Sequence, residues 1–493
     1  MGTSPEERTS RNEQYAQGSP LGGVRGLVVV MKPGNAGGAK GTRKREGMQF
    51  KRRDYTPVTV PFAATPAGEP PSVEMWANST VWTECMLTAL RNGVRGGRWH
   101  TLYDKVWKLT NLYAAARHVI ENEGAAGVDH VTVKDFDQRL SDEVRQLSSA
   151  LCNKSYKPQQ VRRTLIAKLG SKEKRPLGIP TVRDRVVQTA LLHVLEPIFD
   201  VTFHEHSYGF RRGRGCHHAL ERVEALLNAG HTFVVDADLK SYFDTIPHDR
   251  LLKRVAEQIS DSSVLALVGM FLQQGVFDGL QAWTPEEGTP QGGVISPLLA
   301  NIYLNPLDYF LHEQGFELVR YADDFVVLCR TRAEAEQALE LIRQWVTEND
   351  LTLHPTKTRI ADANDAEGFA FLGYVFKKGR IREPREKSLK KLKTTLKAKT
   401  PRQSGHSLDV IIRDVNTTLR GWMAYFRHCH WSEFRDLDGW LRDRLRAILR
   451  KRAHRRGRAR LRDRFEWLPA FFTSCGLVSL SQLHSELCQS CLR

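Results

Sequence analysis

The spacing of apolar residues changes repeatedly along the 493-residue chain, and each change predicts an element. From Trp76 to Tyr156 the period is helical, with Leu102, Val106, Leu109 and Leu112 on one stripe and a glycine-rich turn at Gly124 to Gly127. Val161 to Ile179 alternates apolar and basic residues as a β-hairpin does, and Val186 to Phe199 is an apolar helix. Phe233-Val234-Val235-Asp236-Ala237-Asp238 reads as a buried strand, followed by a helical Leu251 to Leu272. Two β-forming runs between Leu318 and Leu328 flank the adjacent acids Asp323 and Asp324, where a hairpin must turn. Ala333 to Val346 is an amphipathic helix, Phe369 to Phe376 a short strand, and the remainder is helical and basic to about Leu461. Residues 1–75, rich in Gly, Pro, Ser, Thr and charge, read as a mostly disordered arm. No internal repeat is visible. The pattern predicts an α+β protein: a mixed sheet with helices packed on it, then a separate helical domain.

Length and charge refine this picture. The chain exceeds a single core and implies two or three domains. Its net charge of +17 points to a polyanionic partner. Lys377 to Arg402 and Arg442 to Arg464 each hold twelve Lys/Arg against two acids, so the rest of the chain is slightly acidic. Such runs lack the compensating acids of a salt-bridged helix face, and place nucleic-acid contact toward the C-terminus. A third basic cluster, Lys40 to Arg53, lies in the N-terminal arm, where it could touch RNA. The eight cysteines (Cys85, Cys152, Cys216, Cys329, Cys429, Cys475, Cys488, Cys491) are scattered, as reduced thiols of a cytosolic protein are. Leu27 to Met31 is too short for a signal-peptide core or a membrane span, and Glu6, Glu7 and Glu13 argue against a transit peptide. The expectation is a soluble, cytoplasmic protein with no membrane partner.

A hairpin turn lifts Asp323 and Asp324 clear of a sheet, where they can face a metal ion. Nucleotidyl transfer needs such a site, because two Mg²⁺ ions about 3.5–4 Å apart stabilise both the attacking and the leaving oxygen. The pair alone is equally compatible with a solvated Asp-Asp turn. A third carboxylate comes from the strand ending at Asp238. Asp236 and Asp238 share one of its faces, and spacing does not choose between them. Phe243, five residues beyond Asp238, is placed to pack under an incoming sugar.

Asp238-Leu239-Lys240-Ser241-Tyr242-Phe243-Asp244 and Tyr321-Ala322-Asp323-Asp324 resemble the metal-binding blocks of reverse transcriptases. The resemblance narrows to the group II intron-encoded reverse transcriptase/maturase family through Lys174-Arg175-Pro176-Leu177-Gly178-Ile179-Pro180, Ser207-Tyr208-Gly209-Phe210-Arg211 and the block from Gly288-Thr289-Pro290-Gln291-Gly292 to Asn301. Leu353 through Lys357-Thr358-Arg359 and Phe371-Leu372-Gly373 fit it too, and the series runs in family order from about Trp76 to the C-terminus.

The resemblance implies a right-hand polymerase. Fingers would span 76–230, a palm 231–376, a helical thumb and maturase domain 377–465, and a short segment 466–493. Asp238 and Asp323, supported by Asp324, would hold two Mg²⁺ ions. Arg175 and Arg211 would grip the triphosphate of a dNTP, with Lys357 a further phosphate contact. Pro290, Gln291 and Gly292 would wall the nucleotide site, the glycine allowing close backbone approach. Phe243 would crowd a ribose 2′-hydroxyl, Asp244 would cap its turn, and Gly373 would let the primer end lie close. Lys390, Lys391, Lys393, Arg450, Lys451, Arg452, Arg455 and Arg456 would track the phosphates of structured group II intron RNA. Trp422, Tyr425, Phe426 and Trp431 would pack the helices, or else stack on bases.

The implied activity is RNA-directed DNA synthesis combined with splicing assistance and intron mobility at a target DNA. The family's C-terminal His-Asn-His nuclease is not recognisable. Cys488 and Cys491 form a lone CxxC, half of a four-ligand zinc site, so zinc is not expected. Priming would then need another source, such as a nascent strand at a replication fork. Two competing readings are an RNA-binding splicing factor with a decayed polymerase, which the intact acids oppose, and a domesticated reverse transcriptase without an intron, which the basic C-terminus opposes.

Overall fold

Strands form where β-branched and aromatic residues concentrate. Along the chain come β1 (Val161–Ala167), β2 (Lys174–Ile179), β3 (Phe233–Asp238), and the short β4 (Val276–Phe277) and β5 (Ala282–Trp283). Then follow β6 (Glu317–Tyr321), β7 (Asp324–Cys329), β8 (Arg359–Asp362), β9 (Phe369–Phe371), β10 (Tyr374–Lys377) and β11 (Ile381–Pro384). They are seen in a computed structural model that describes residues 72–94, 96–167, 174–279, 281–378, 381–455 and 461–490. Nearly all of the N-terminal arm, together with Arg456 and Cys491, lies outside the described residues.

Three sheets result, ordered β2-β1-β4-β5, β6-β7-β3-β8 and β11-β10-β9. The first is mixed, because β1 and β4 run parallel. The second is antiparallel throughout. Its two faces are both covered. Val235, Ala237, Leu318, Phe325 and Val327 join one large core with the helices Val182–Asp200, Ser296–Glu313 and Arg332–Glu348. Val234, Val319, Val326 and Leu328 belong to a second core with the helices Cys216–Asn228 and Leu408–Phe426 and the sheet β9–β11. Double coverage explains why β3 and β7 read as near-continuous apolar runs.

Several elements differ from the sequence expectation. The single helix read over 251–272 is two, His248–Gln258 and Ser262–Leu272. The first ends at extended Ile259, and Asp261 caps the second: one carboxylate oxygen accepts from the Ser263 and Val264 amides, the other from the Leu102 and Tyr103 amides at 2.8 and 2.9 Å. The strand read over 369–376 is a hairpin, turned by Leu372 and Gly373 at φ of 47° and 82°. β11 interrupts the stretch read as purely helical. Residues beyond 465 do not stand apart either. Phe472, Leu477 and Leu480 enter the second core, and buried Asp438 accepts from the Leu480 and Ser481 amides. Cys85, Cys152, Cys216, Cys329, Cys429 and Cys475 are free thiols. Among the described residues no helix is long and apolar enough to cross a membrane.

Burial raises the Asp261 carboxyl, but its four amide bonds outweigh that and hold it below its ordinary 3.8. Replacing it with Ala should weaken local stability by about 1.5 kcal/mol. The observable is faster amide hydrogen exchange at Leu102, Tyr103 and Val264. Because the folded value is depressed, the wild-type protection is complete above pH 3.8 and fades as pH falls through the lower folded value.

Candidate active site

Strand register brings the acids together. Asp238 lies directly opposite Asp324 in the antiparallel β3–β7 pair, and Asp236 lies opposite Val326. Opposed residues share a face, so Asp236, Asp238 and Asp324 project to the same side of the sheet. β6 and β7 are joined through the two residues Ala322 and Asp323, with Tyr321 paired to Asp324. Ala322 has φ +60°, at a turn position where hairpins favour glycine.

Neighbouring chain holds that conformation in place. The Arg320 guanidinium, 0% exposed, donates to both oxygens of Asp308 (2.6–3.0 Å), to Asn301 Oδ1 (2.8 Å) and to the Ala322 carbonyl (3.0 Å). Asn301 in turn donates to the Gly209 carbonyl at 2.8 Å. Gly209 packs so tightly on the turn that a Cβ there would lie 2.2 Å from Ala322 N. The Tyr208 amide bonds to the Arg320 carbonyl, and the Arg320 amide to the His206 carbonyl.

The acids repel one another. Desolvation by the surrounding protein, then Asp236, Asp323 and Asp238, push the Asp324 carboxyl up to about 7, although the residue is exposed. Burial raises Asp236 to about 6, against the opposing pull of Arg359 and Arg385. Asp323 is raised by burial, partly offset by its own amide and by Arg175. Among the described residues no three acidic, histidine or cysteine side chains are already gathered as a metal-ligand group, so Asp238 and Asp324 share a face and Asp323 sits in the adjoining turn without the three converging on one point. Asp238 is engaged by Lys357 instead, Nζ to Oδ2 at 2.7 Å. The β3 end brings Lys357 there, since Asp238 O accepts from the His354 amide and the Lys240 amide bonds to Thr352 O.

The predicted nucleotide residues fall into two groups. Arg175 is exposed on β2 and faces Asp323 and Asp244 electrostatically. Phe243 is half-buried, edge-on to Phe210 and to Tyr242. Gln291 donates its amide to both oxygens of Asp244 at 3.2 Å, so the Asp244 carboxylate, expected to cap its turn, holds a side chain of the neighbouring loop. Pro290 O accepts from the Ser296 hydroxyl and the Gly293 amide, which fixes the loop. Arg211 needs correction. It is 4% exposed and its guanidinium is committed to Asp200 and to the carbonyls of Asp200, His204 and Ser207, so it braces the turn carrying Gly209 and is closed to a triphosphate. Gly292 is also explained differently. At φ +115° its missing Cβ makes room for the Gly178 carbonyl, 2.3 Å from where that atom would sit, so the close approach is to β2. Gly373, at φ +82°, turns the β9–β10 hairpin beneath Tyr425, whose hydroxyl donates to Leu372 O at 2.8 Å.

The basic residues divide likewise. Lys390, Lys451 and Arg452 are exposed. Lys391 is half-buried, and burial lowers its pKa. Lys393 stands over the Trp440 ring and Arg455 over Trp467, the latter also paired with Glu466. Arg450 is again a correction: it is 8% exposed and bonded through Nη1 to both oxygens of buried Asp463, a core ion pair between helices. Of the aromatics, Trp422, Tyr425 and Phe426 pack together, while Trp431 is 51% exposed beneath Arg435.

Sequence reasoning missed the Arg320–Asp308–Asn301 support. A signal existed: an arginine inside an apolar strand and an aspartate inside the apolar helix Ser296–Glu313 are buried charges in search of each other.

Residues 166–376 match the family model "Reverse transcriptase (RNA-dependent DNA polymerase)", and residues 389–467 match "Group II intron, maturase-specific domain". The chain is 38% identical over 318 residues to Protein YkfC of Escherichia coli, covering 56% of this chain and 82% of that one. It is 38% identical over 212 residues to the group II intron-encoded protein LtrA of Lactococcus lactis, covering 43% of this chain and 35% of that protein. A 91 kDa protein in the cob intron of Schizosaccharomyces pombe is 38% identical over 176 residues, 36% of this chain and 22% of that one.

Asp308→Ala should leave Arg320 charged and unpaired in the core, costing about 3–5 kcal/mol. A double replacement, Arg320→Met with Asp308→Leu, should recover most of that stability. Denaturant unfolding followed by tryptophan fluorescence measures both.

Proposed function

Because the chain belongs to the group II intron-encoded reverse transcriptase/maturase family, we propose that it is an RNA-directed DNA polymerase that also binds its intron RNA, assists splicing and drives intron mobility by target-primed or fork-primed synthesis. The observation that carries the polymerase reading is the register that sets Asp238 opposite Asp324 with Asp323 in the adjoining turn. The donor set fits Mg²⁺, being all carboxylate oxygen, with Asp323 and Asp238 close enough to raise the Asp324 carboxyl. Asp238 and Asp323, with Asp324, would hold two ions. Bound there, they supply charge neutralisation at the triphosphate and a lowered pKa at the primer 3′-hydroxyl.

The chain's own residues do the positioning. Arg175, exposed and facing the acids, grips phosphate oxygens of the dNTP. Lys357, free to leave Asp238 once the acids are neutralised, adds a second phosphate contact. The Phe243 ring closes the space a ribose 2′-hydroxyl would occupy, while Pro290 and Gln291 bound the sugar from the other side. Gly373 lets the primer terminus lie against its turn. Lys390, Lys451 and Arg452 follow the phosphates of structured RNA, which is recognised chiefly by backbone and shape. Binding the active RNA fold preferentially stabilises it, which is splicing assistance with the cutting and joining left to the RNA.

Primer extension on an RNA template with Mg²⁺ and dNTPs is the deciding assay. Asp238→Asn and Asp323→Asn should each lose on the order of a thousandfold in rate while retaining intron RNA binding on filters. Failure of the wild type to extend, with RNA binding intact, would leave a splicing factor alone. Phe243→Ala should reduce the preference for dNTP over NTP by about tenfold or more, read from kcat/KM for each. Replacing Lys451 and Arg452 with Ala should lower the slope of log K against log salt by about two, uniformly across RNA sequences.

A further inference from the structure

A cavity of about 300 Å³ lies between the helices Leu109–Glu121 and Val182–Asp200, and Trp76 walls it as well. None of the acids or nucleotide residues of the cleft borders it. The helix Leu109–Glu121 buries Leu112, Ala115, Ala116 and Val119, and brings Ala114, Arg117 and Glu121 at helical spacing to the cavity. Ala114 has no bulk to fill the space. The volume is at the small end of ligand sites, a size for one base rather than a run of them.

Charge narrows the class of ligand. Arg212 lies over the Trp76 ring at 5.4 Å and pairs through Nε with largely buried Glu196 at 3.1 Å. His193 adds no charge: its Nδ1 sits between Asn78 Nδ2 (3.0 Å) and Asn111 Oδ1 (2.9 Å), and burial, then His118 and Arg212, lower its pKa to about 3. The walls therefore set two guanidiniums, Arg117 and Arg212, against two carboxylates, Glu121 and Glu196. Such a balance exerts little pull on a phosphate. It suits a flat, uncharged ligand with polar edges, which an indole and a guanidinium plane can both cover.

Arg117 and Glu121 stand one turn apart, the spacing of a helical ion pair, yet they do not pair. Both are exposed, and among the described residues neither side chain has a hydrogen bond or ion pair. One presents a fork of donors and the other two acceptor oxygens. Guanine matches both, with N7 and O6 as adjacent acceptors and N1–H and N2–H as adjacent donors. Adenine and cytosine combine one amino donor with ring acceptors, and uracil has a single N–H. No other RNA base fills both forks.

We propose that this cavity is a guanine site, in which Arg117 grips O6 and N7, Glu121 accepts from N1 and N2, and the base lies against Trp76 and Arg212. The guanine belongs either to a free nucleotide or to an unpaired position in RNA, and the two share this chemistry. The site does not depend on the polymerase reading.

Equilibrium dialysis of the full chain compares GMP with AMP, CMP and UMP, while filter binding compares an RNA hairpin carrying one loop guanine with the same hairpin carrying adenine there. Guanine should bind about tenfold more tightly than its counterparts in at least one format. Preference for GMP assigns a free nucleotide, and preference in the hairpin alone assigns RNA. Glu121→Gln, which no longer accepts at two oxygens, and Arg117→Ala should each erase the preference, and both positions are exposed, so circular dichroism should stay unchanged. Asp238→Asn should keep it, which separates this site from the cleft. Equal binding of guanine and adenine in both formats overturns the proposal. So does a preference that survives Glu121→Gln or that disappears in Asp238→Asn. A wild type that keeps the guanine preference but extends no primer would remove the polymerase reading and leave this site standing.

Discussion

The buried Arg320–Asp308 pair is the constraint on which the geometry of the acidic hairpin hangs. Two charges with 0% exposure are costly to desolvate, and one partner alone would not be tolerated. Here the cost is offset by full use of the guanidinium: two bonds to one carboxylate oxygen, a third to the other, one to Asn301 and one to the Ala322 carbonyl. That last bond matters most for chemistry. It reaches a turn residue at positive φ and holds the backbone from which Asp323 and Asp324 project. Through Asn301 the same network grips Gly209, so three stretches far apart in the chain meet at one hairpin.

Around this support the electrostatics are arranged in opposition. On one face of the central sheet stand Asp236, Asp238 and Asp324, with Asp236 and Asp324 pushed up by burial and by their neighbours. Cationic side chains approach from three directions, Arg175 from β2, Lys357 from the segment after Asp350, and Arg359 from β8. A site of this kind is relieved by cations and rewards a polyanion that brings them. The acidic face looks toward β9–β11 and the C-terminal helices, where the excess positive charge of the chain resides.

Arginine does two jobs here, and composition does not separate them. Arg175 and Arg452 are exposed, whereas Arg211, Arg320 and Arg450 are buried fasteners with carboxylate and carbonyl partners. The planar five-donor fork that suits arginine to phosphate suits it equally to a turn rich in carbonyls. The motif surrounding Arg211 pointed toward nucleotide contact, yet its guanidinium is spent on His204, Ser207 and Asp200.

Local pattern determined a good deal. Short apolar runs located β3, β6 and β7, a helical period located Arg332–Glu348, and adjacent acids between two strands marked the hairpin turn, because run length and period distinguish strand from helix. The break before Asp261 was not legible, since the residue that caps the second helix also serves amides at Leu102 and Tyr103, far away in sequence. Nor was the β9–β10 hairpin, whose turn is a Leu-Gly pair inside an apolar run. Choosing between Asp236 and Asp238 required strand pairing: only register sets Asp238 against Asp324, and no spacing within β3 contains that information. The sequence by itself therefore determined which chemical groups the protein carries and the local elements that bear them. Which charges are buried in pairs and which stand free was decided by tertiary structure, because desolvation depends on neighbours that only folding supplies.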